Sequence, residues 1–169
     1  MTVDLAGTLV VRRTDVTDQD AIARMLAGMS DQNLYHRFQT PIGSPPRPAL
    51  VRHLASPDGA AWVAERDDRI VGHAMWAWVR GAARPTAEFA VIVAESDQGR
   101  GLGERLLREA TEHAAKVGAA QFLVIVSAAN GAVLRTVRRH WPTATTEREG
   151  SLINFTLPAP ARGRGVRGC

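Results

Sequence analysis

The 169 residues suit one compact domain, and a hydrophobic content of 45% gives it enough apolar material for a core. No run approaches a membrane span, the N-terminus lacks a charged-then-apolar signal pattern, and the single cysteine, Cys169, excludes an internal disulfide or a cysteine-rich metal site; a cytoplasmic protein is expected. The formal charge of +4 owes Arg162, Arg164 and Arg167 to the segment "PAPARGRGVRGC", and without them 18 basic residues face 17 acidic ones. With no basic stripe interleaved with aromatics, the folded part is not expected to bind nucleic acid. Residues 1–158 read as the folded domain and 159–169 as a disordered basic tail of Pro, Gly and Arg.

"TLVVRRTD" alternates and is β-branched, a first strand. In "TDQDAIARMLAGMS", Thr17 or Asp18 is the expected cap of a helix whose apolar face carries Ala21, Ile22, Met25, Leu26 and Met29. "DQNLYHRFQT" reads as a short second helix ended by Pro41, "IGSPPRP" as a loop and "ALVRHLAS" as a third helix. "AAWVAERDDRIVGHAMWAWVR" is a hairpin turning at Asp67 and Asp68, with Trp62, Trp76 and Trp78 as core or sheet-face residues. "AEFAVIVAE" is the next strand, with Glu88, Ala90 and Ile92 on one face and Phe89, Val91 and Val93 on the other.

A long helix follows, with Leu102, Leu106, Ala110, Ala114 and Val117 as its buried stripe and Gly118 as its end. "QFLVIVSA" is apolar enough for a strand buried on both faces beside a parallel neighbour. "NGAVLRTVRRHW" is a helix stopped by Pro142, and "TATTERE" and "SLINFTLP" form a last hairpin around Gly150. The order of elements specifies a mixed α/β sheet in one domain, without internal repeats. His36, His53, His73, His113 and His140 have no ligand spacing, so no metal is expected.

Between the "AEFAVIVAE" strand and the long helix stands "SDQGRGLG", with three glycines. A helix N-terminus carries unpaired N–H groups and partial positive charge, and glycines let the backbone come close to a phosphate. Three glycines at a helix start cost chain entropy, so a ligand is the better explanation than a tight turn alone. A Walker loop is excluded because no lysine occurs there. A dinucleotide fingerprint is excluded because its third glycine would fall on Glu104 or Leu106. The spacing is Gln98-x-x-Gly101-x-Gly103. Glu95 and Asp97 lie too near such an anion seat to be good bases and read as surface residues.

That stretch resembles the acetyl-CoA loop of the GNAT N-acetyltransferase superfamily, R/Q-x-x-G-x-G/A, with Gln98, Gly101 and Gly103 in place and Gly99, Arg100 and Leu102 among them. "AANGAVLRTVRRHW" is similar to a further motif of that family, with Asn130 and Leu134 placed like its cofactor-side Asn and its core residue; His140-Trp141-Pro142 replaces the usual Gly-Phe turn, and Val137 stands where many members have an acidic tyrosine. The resemblance covers roughly residues 9 to 157. It implies a twisted mixed sheet of about seven strands with four or five helices, acetyl-CoA as cosubstrate, and a coenzyme seat formed by residues 98–103 with Asn130. It also implies that the main chain of Val91, Ile92 and Val93 meets the pantetheine arm and supplies the oxyanion donor.

Glu88 precedes Gln98 by ten residues, where many protein-acetylating members of the family have a glutamate general base; partial burial there would improve it as a base. "SDQNLYHRF" is similar to the S-x-x-S-x-Y-x-R-F segment of bacterial protein-lysine acetyltransferases that modify acyl-CoA synthetases. Ser30, Tyr35, Arg37 and Phe38 match and Asn33 replaces the second serine; Tyr35, Arg37 and Phe38 are substrate-side on this reading, or plain packing residues with Arg37 paired to an acid. The implied reaction is direct acetyl transfer to an amine, first of all a protein lysine. Two alternatives stand: a small amine as acceptor, or an acyl-CoA-binding sensor that has lost catalysis. Either a monomer or a homodimer is compatible.

Overall fold

The computed structural model describes residues 7–161. The basic tail expected from 159 onward lies, from Arg162 on, outside them. Seven strands form one sheet in the order β1-β2-β3-β4-β5-β7-β6: β1 (Leu9–Arg13), β2 (Gly59–Arg66), β3 (Arg69–Trp78), β4 (Thr86–Val93), β5 (Gln121–Ser127), β6 (Thr145–Glu149) and β7 (Leu152–Pro158). Every pairing is antiparallel except β4 with β5. Five helices complete it: α1 (Gln19–Ala27), α2 (Asp31–Phe38), α3 (Pro48–Ala55), α4 (Leu102–Lys116) and α5 (Gly131–His140). The expected α/β class, the order of elements along the chain and the helix count are all observed.

Period-two alternation assigns the two faces of the sheet. Ala61, Val63, Met75 and Ile92 pack against Ile22, Met25 and Leu26 of α1 and Val51 and Leu54 of α3, with Leu34 and Phe38 of α2 alongside. On the other face Trp62, Trp76, Phe89 and Phe122 pack on Leu102, Leu106, Ala110 and Ala114 of α4. Leu134 and Val137 of α5 cover Val126, Ile153 and Phe155 on that same side. Asp67 and Asp68 both have positive φ (49° and 58°), the turn that a tight two-residue hairpin requires.

Local chemistry differs from expectation at three points. The first helix is entered through a 3-10 turn whose cap is Asp15, in a reciprocal box with Asp18, rather than Thr17 or Asp18. Asp18 is instead buried and held by Arg12 at 2.8 Å, so its oxygens are already committed. Val117 is 47% exposed because α4 ends at Lys116, where the buried stripe stops. β5 is not buried on both faces: Ile125 is 39% exposed, because β4 no longer lies beside it at that level.

His73 of β3 is fully buried, and its Nε2 donates to the Leu54 carbonyl of α3 at 2.9 Å. Burial pushes its pKa down to about 4, with the nearby Arg37 and His53 acting in the same direction. The unfolded chain therefore takes up this proton near pH 6.5 while the folded protein resists it until about pH 4. Stability is full above pH 6.5 and falls with pH across that window. Urea midpoints should drop by the equivalent of about 2 kcal/mol between pH 7.5 and pH 5. His73→Gln should remove most of that drop, and an equal drop in both proteins would assign it to other groups.

Candidate active site

β4 and β5 run side by side only from Thr86–Gln121 to Phe89–Val124, and beyond that pair the two strands part. The antiparallel ladder with β3 fixes which β4 groups face the gap. Val79 N–H donates to the Thr86 carbonyl and Ala94 N–H to the Val71 carbonyl, so even-numbered β4 residues turn their polar groups toward β3. Val91 and Val93 turn theirs toward the side β5 has left. Of the three residues expected to offer main-chain groups there, Ile92 does not, because its N–H and C=O belong to the β3 ladder and its side chain is buried. Gln98 Nε2 donates to the Val93 carbonyl at 2.9 Å, closing one of the open acceptors.

The bend after β4 begins with a 3-10 turn, Glu95–Asp97, and leads directly into α4. Gly99 and Gly101 have φ of +74° and +75°, a conformation that costs an L-residue about 1 kcal/mol or more. A Cβ at either would meet nothing within 4 Å, so these glycines serve the backbone conformation and the space above them is open. Gly103 has ordinary φ and rests in normal contact with Val93. α4 has no side-chain cap, unlike α2, capped by Ser30, and α5, capped by Asn130. Among the described residues, no acceptor of ordinary geometry takes the N–H groups of Gly99, Gly101, Leu102 or Gly103, while Arg100 N–H closes the turn over Gln98 and Gly99. Four donors, a helix N-terminus and open space fit an anionic group such as a diphosphate.

Three clamps hold this bend, and all were missed in the sequence. Asp97, expected at the surface, is 6% exposed and paired with Arg66 at the end of β2; Ser96 Oγ also donates to it at 2.9 Å. Its charge is thus consumed inside the protein and does not repel an anion. Glu95 accepts from Ser30 N–H at 2.8 Å and Asn33 Nδ2 at 2.6 Å, which ties the bend to α2 and holds its carboxyl below the usual range. The Asn that replaces the motif's second serine is therefore a tether. Glu104 bonds His140 at 2.9 Å and Arg139 at 3.1 Å, joining the start of α4 to the end of α5. Each clamp joins residues distant in the chain, so no spacing rule could have found it.

Around the gap, Glu88 lies on the α1–α3 face of β4 and is exposed, not partly buried as assumed from the sequence. The helices on that face cover Ala90 and Ile92 but stop short of it. α2 packs against both β4 and β5 and brings Tyr35, 52% exposed, and Arg37 to the same side. Phe38 packs with the core, as the plainer sequence reading allowed. Leu102 is buried in the α4 core, leaving only its backbone for the bend. Asn130 Oδ1 accepts from Val133 N–H at 3.3 Å, so its oxygen caps α5 and its amide NH2 is the part left for another partner. Val137 is 6% exposed in the α5 core, a position that offers no hydroxyl to the gap. A groove of about 580 Å³ lined by Phe122, Trp141 and Leu157 sits at the opposite end of β5 and contains none of these residues.

The fold is shared with known proteins. The acetyltransferase (GNAT) family model matches residues 30–141, most of the chain, and the chain belongs to that family. It is an acetyltransferase of the acyltransferase class. The GNAT domain of PAT from S. lividans is similar over 90% of this chain and 91% of its own, with a TM-score of 0.76 and 22% identity. Salmonella typhimurium yncA, solved with its cofactor acetyl-CoA, covers 92% of this chain and 96% of its own at a TM-score of 0.69 and 20% identity. A ribosomal-protein-alanine N-acetyltransferase from Brucella melitensis covers 88% and 99% at a TM-score of 0.66 and 19% identity. At such identities the likeness speaks to the fold. No curated protein sequence matches the chain.

The left-handed φ at Gly101 makes a local prediction. Gly101→Ala should lower stability by about 1 kcal/mol through backbone conformation alone, since no atom stands in the way. Gly103→Ala, at ordinary φ and in a helix, should be neutral or slightly stabilising. Urea unfolding of the two variants measures the difference, and equal effects would contradict the geometry.

Proposed function

We propose that this chain transfers the acetyl group of acetyl-CoA directly to an amine, a protein lysine side chain, with Glu88 as general base. The observation that carries the reading is the conjunction of two backbone features: the fork that leaves Val91 unpaired, and the four acceptor-free N–H groups of the adjoining bend. In this reading residues 99–103 hold the diphosphate, and the open edge of β4 at Val91 and Val93 takes the pantetheine arm as it would an added strand. The Asn130 amide NH2 is the polar group contributed from α5. Acetyl-CoA supplies a thioester whose C–S bond is replaced by a C–N bond, with the thiol as leaving group.

Each residue then has one task. A lysine ammonium, with a pKa near ~10.4, must lose its proton before its nitrogen can attack. Glu88 is a solvated carboxylate on the side of α2 and accepts that proton, directly or through water. Val91 N–H is the donor for the charge that develops on the carbonyl oxygen. Val137 offers no proton to the departing sulfur, but a thiol of ordinary pKa near ~8.5 leaves readily and takes its proton from water. Lysine as acceptor rests on Ser30, Tyr35, Arg37 and Phe38 matching the protein-lysine acetyltransferase segment, and on α2 lying beside Glu88. The fold likeness to S. lividans PAT is in keeping with it.

Acetyl-CoA at one hundred times its Kd should raise the melting temperature by roughly 5–10 °C, since it binds only the folded state. Gly101→Asp should abolish the shift; an unchanged shift would put the diphosphate elsewhere. Glu88→Gln should lower kcat/KM for an amine acceptor by about 10²- to 10⁴-fold, with the acetyl-CoA shift intact. Thiol release in the variant at the wild-type rate would remove Glu88 as base.

A further inference from the structure

Arg37, in the last turn of α2, makes no ion pair with a carboxylate among the described residues. Its Nε is shut off from solvent and makes no hydrogen bond, and among the described residues no carboxylate lies within ion-pair distance of its guanidinium. The expected alternative, an arginine paired with a nearby acid, is therefore not what the protein builds. What surrounds the group is the ring of Phe38, 4.6 Å from the guanidinium carbon, the buried His73, and Glu88 beyond ion-pair reach. Desolvation lowers its pKa to about 10, and the attraction of Glu88 offsets only part of that. The helix C-terminus and the aromatic face help a cation, but each contributes far less than a bound anion. The Nε edge is closed to solvent while the residue as a whole keeps some exposure, so the guanidinium is placed to take an anion that arrives with a ligand.

The position says which ligand. Arg37 and Glu88 carry opposite charges on the same side of the sheet, at the fork, and are not joined to each other. A zwitterionic surface of this kind is complementary to an amine that has a carboxylate close by: ammonium toward Glu88, carboxylate toward Arg37. We propose that Arg37 is the seat of a carboxylate carried by the acceptor, so that the enzyme selects amines that have an acidic group beside them. This deepens the reading of Glu88 as base and rests on it. The carboxylate has two sources, the α-carboxylate of a free amino acid or an Asp or Glu side chain flanking a lysine in a polypeptide, and guanidinium recognition is the same for both.

The test pairs each acceptor with its uncharged counterpart: free amino acids with their amides, and lysine peptides flanked by Glu with the same peptides flanked by Gln. Wild-type protein should favour the carboxylate member of at least one set by about ten- to a hundredfold in kcat/KM, and the set that responds identifies the source. In Arg37→Met the ratio should fall to near one. The same variant, without any ligand, should melt within a few degrees of the wild type, since Arg37 forms no ion pair that the substitution would break. No carboxylate preference in either set, or a preference that survives in Arg37→Met, would overturn the proposal. Failure of the general-base reading looks different: Glu88→Gln would stay active while the Arg37 ratios still responded.

Discussion

The site depends on two parallel strands ceasing to pair. A parallel ladder satisfies each strand's N–H and C=O groups on the shared side, and here it stops at Phe89 and Val124. Buried backbone groups left without partners are costly, so a fork inside a sheet needs compensation. Part of it comes from the Gln98 side chain on the Val93 carbonyl. Val91 is left open, and an open strand edge is a template for whatever can pair with it. A family of enzymes whose reaction needs a hydrogen-bond donor at a developing oxyanion has reason to keep such an edge.

The bend that follows β4 is the same device in a second form. α4 begins without a cap, and its donors stay unclaimed because Gly99 and Gly101 hold the chain in left-handed conformations that turn it sharply into the helix. Such a loop would be soft on its own. Arg66 with buried Asp97, Glu95 with Ser30 and Asn33, and Glu104 with Arg139 and His140 fasten it to β2, α2 and α5 respectively. Unpaired acidic residues here would repel an anion. Each is already bonded, and the most buried, Asp97, is neutralised by an arginine. The protein thus spends negative charge on rigidity while keeping the helix start electropositive.

Arg37 is treated in the opposite way. Arg12 and Arg66 are each paired with carboxylates, although the Nε of Arg66 is, like that of Arg37, closed off without a partner. Arg37 receives none, although Glu88 stands on the neighbouring strand.

The sequence by itself determined the elements and their order, the two faces of β4 and the hairpin turns at Asp67–Asp68 and Gly150, because periodicity and turn chemistry are local properties. It also carried the Gln98-x-x-Gly101-x-Gly103 spacing, since a bend of fixed conformation demands glycine at fixed positions. Only the tertiary structure decided that Ile125 is exposed, that Asp97 is buried, that Ile92 belongs to the β3 ladder while Val91 does not, and that Glu88 is solvated. Each of these depends on where one strand leaves another or which distant side chain arrives. Such facts are fixed by contacts between segments tens of residues apart, and no local pattern encodes them.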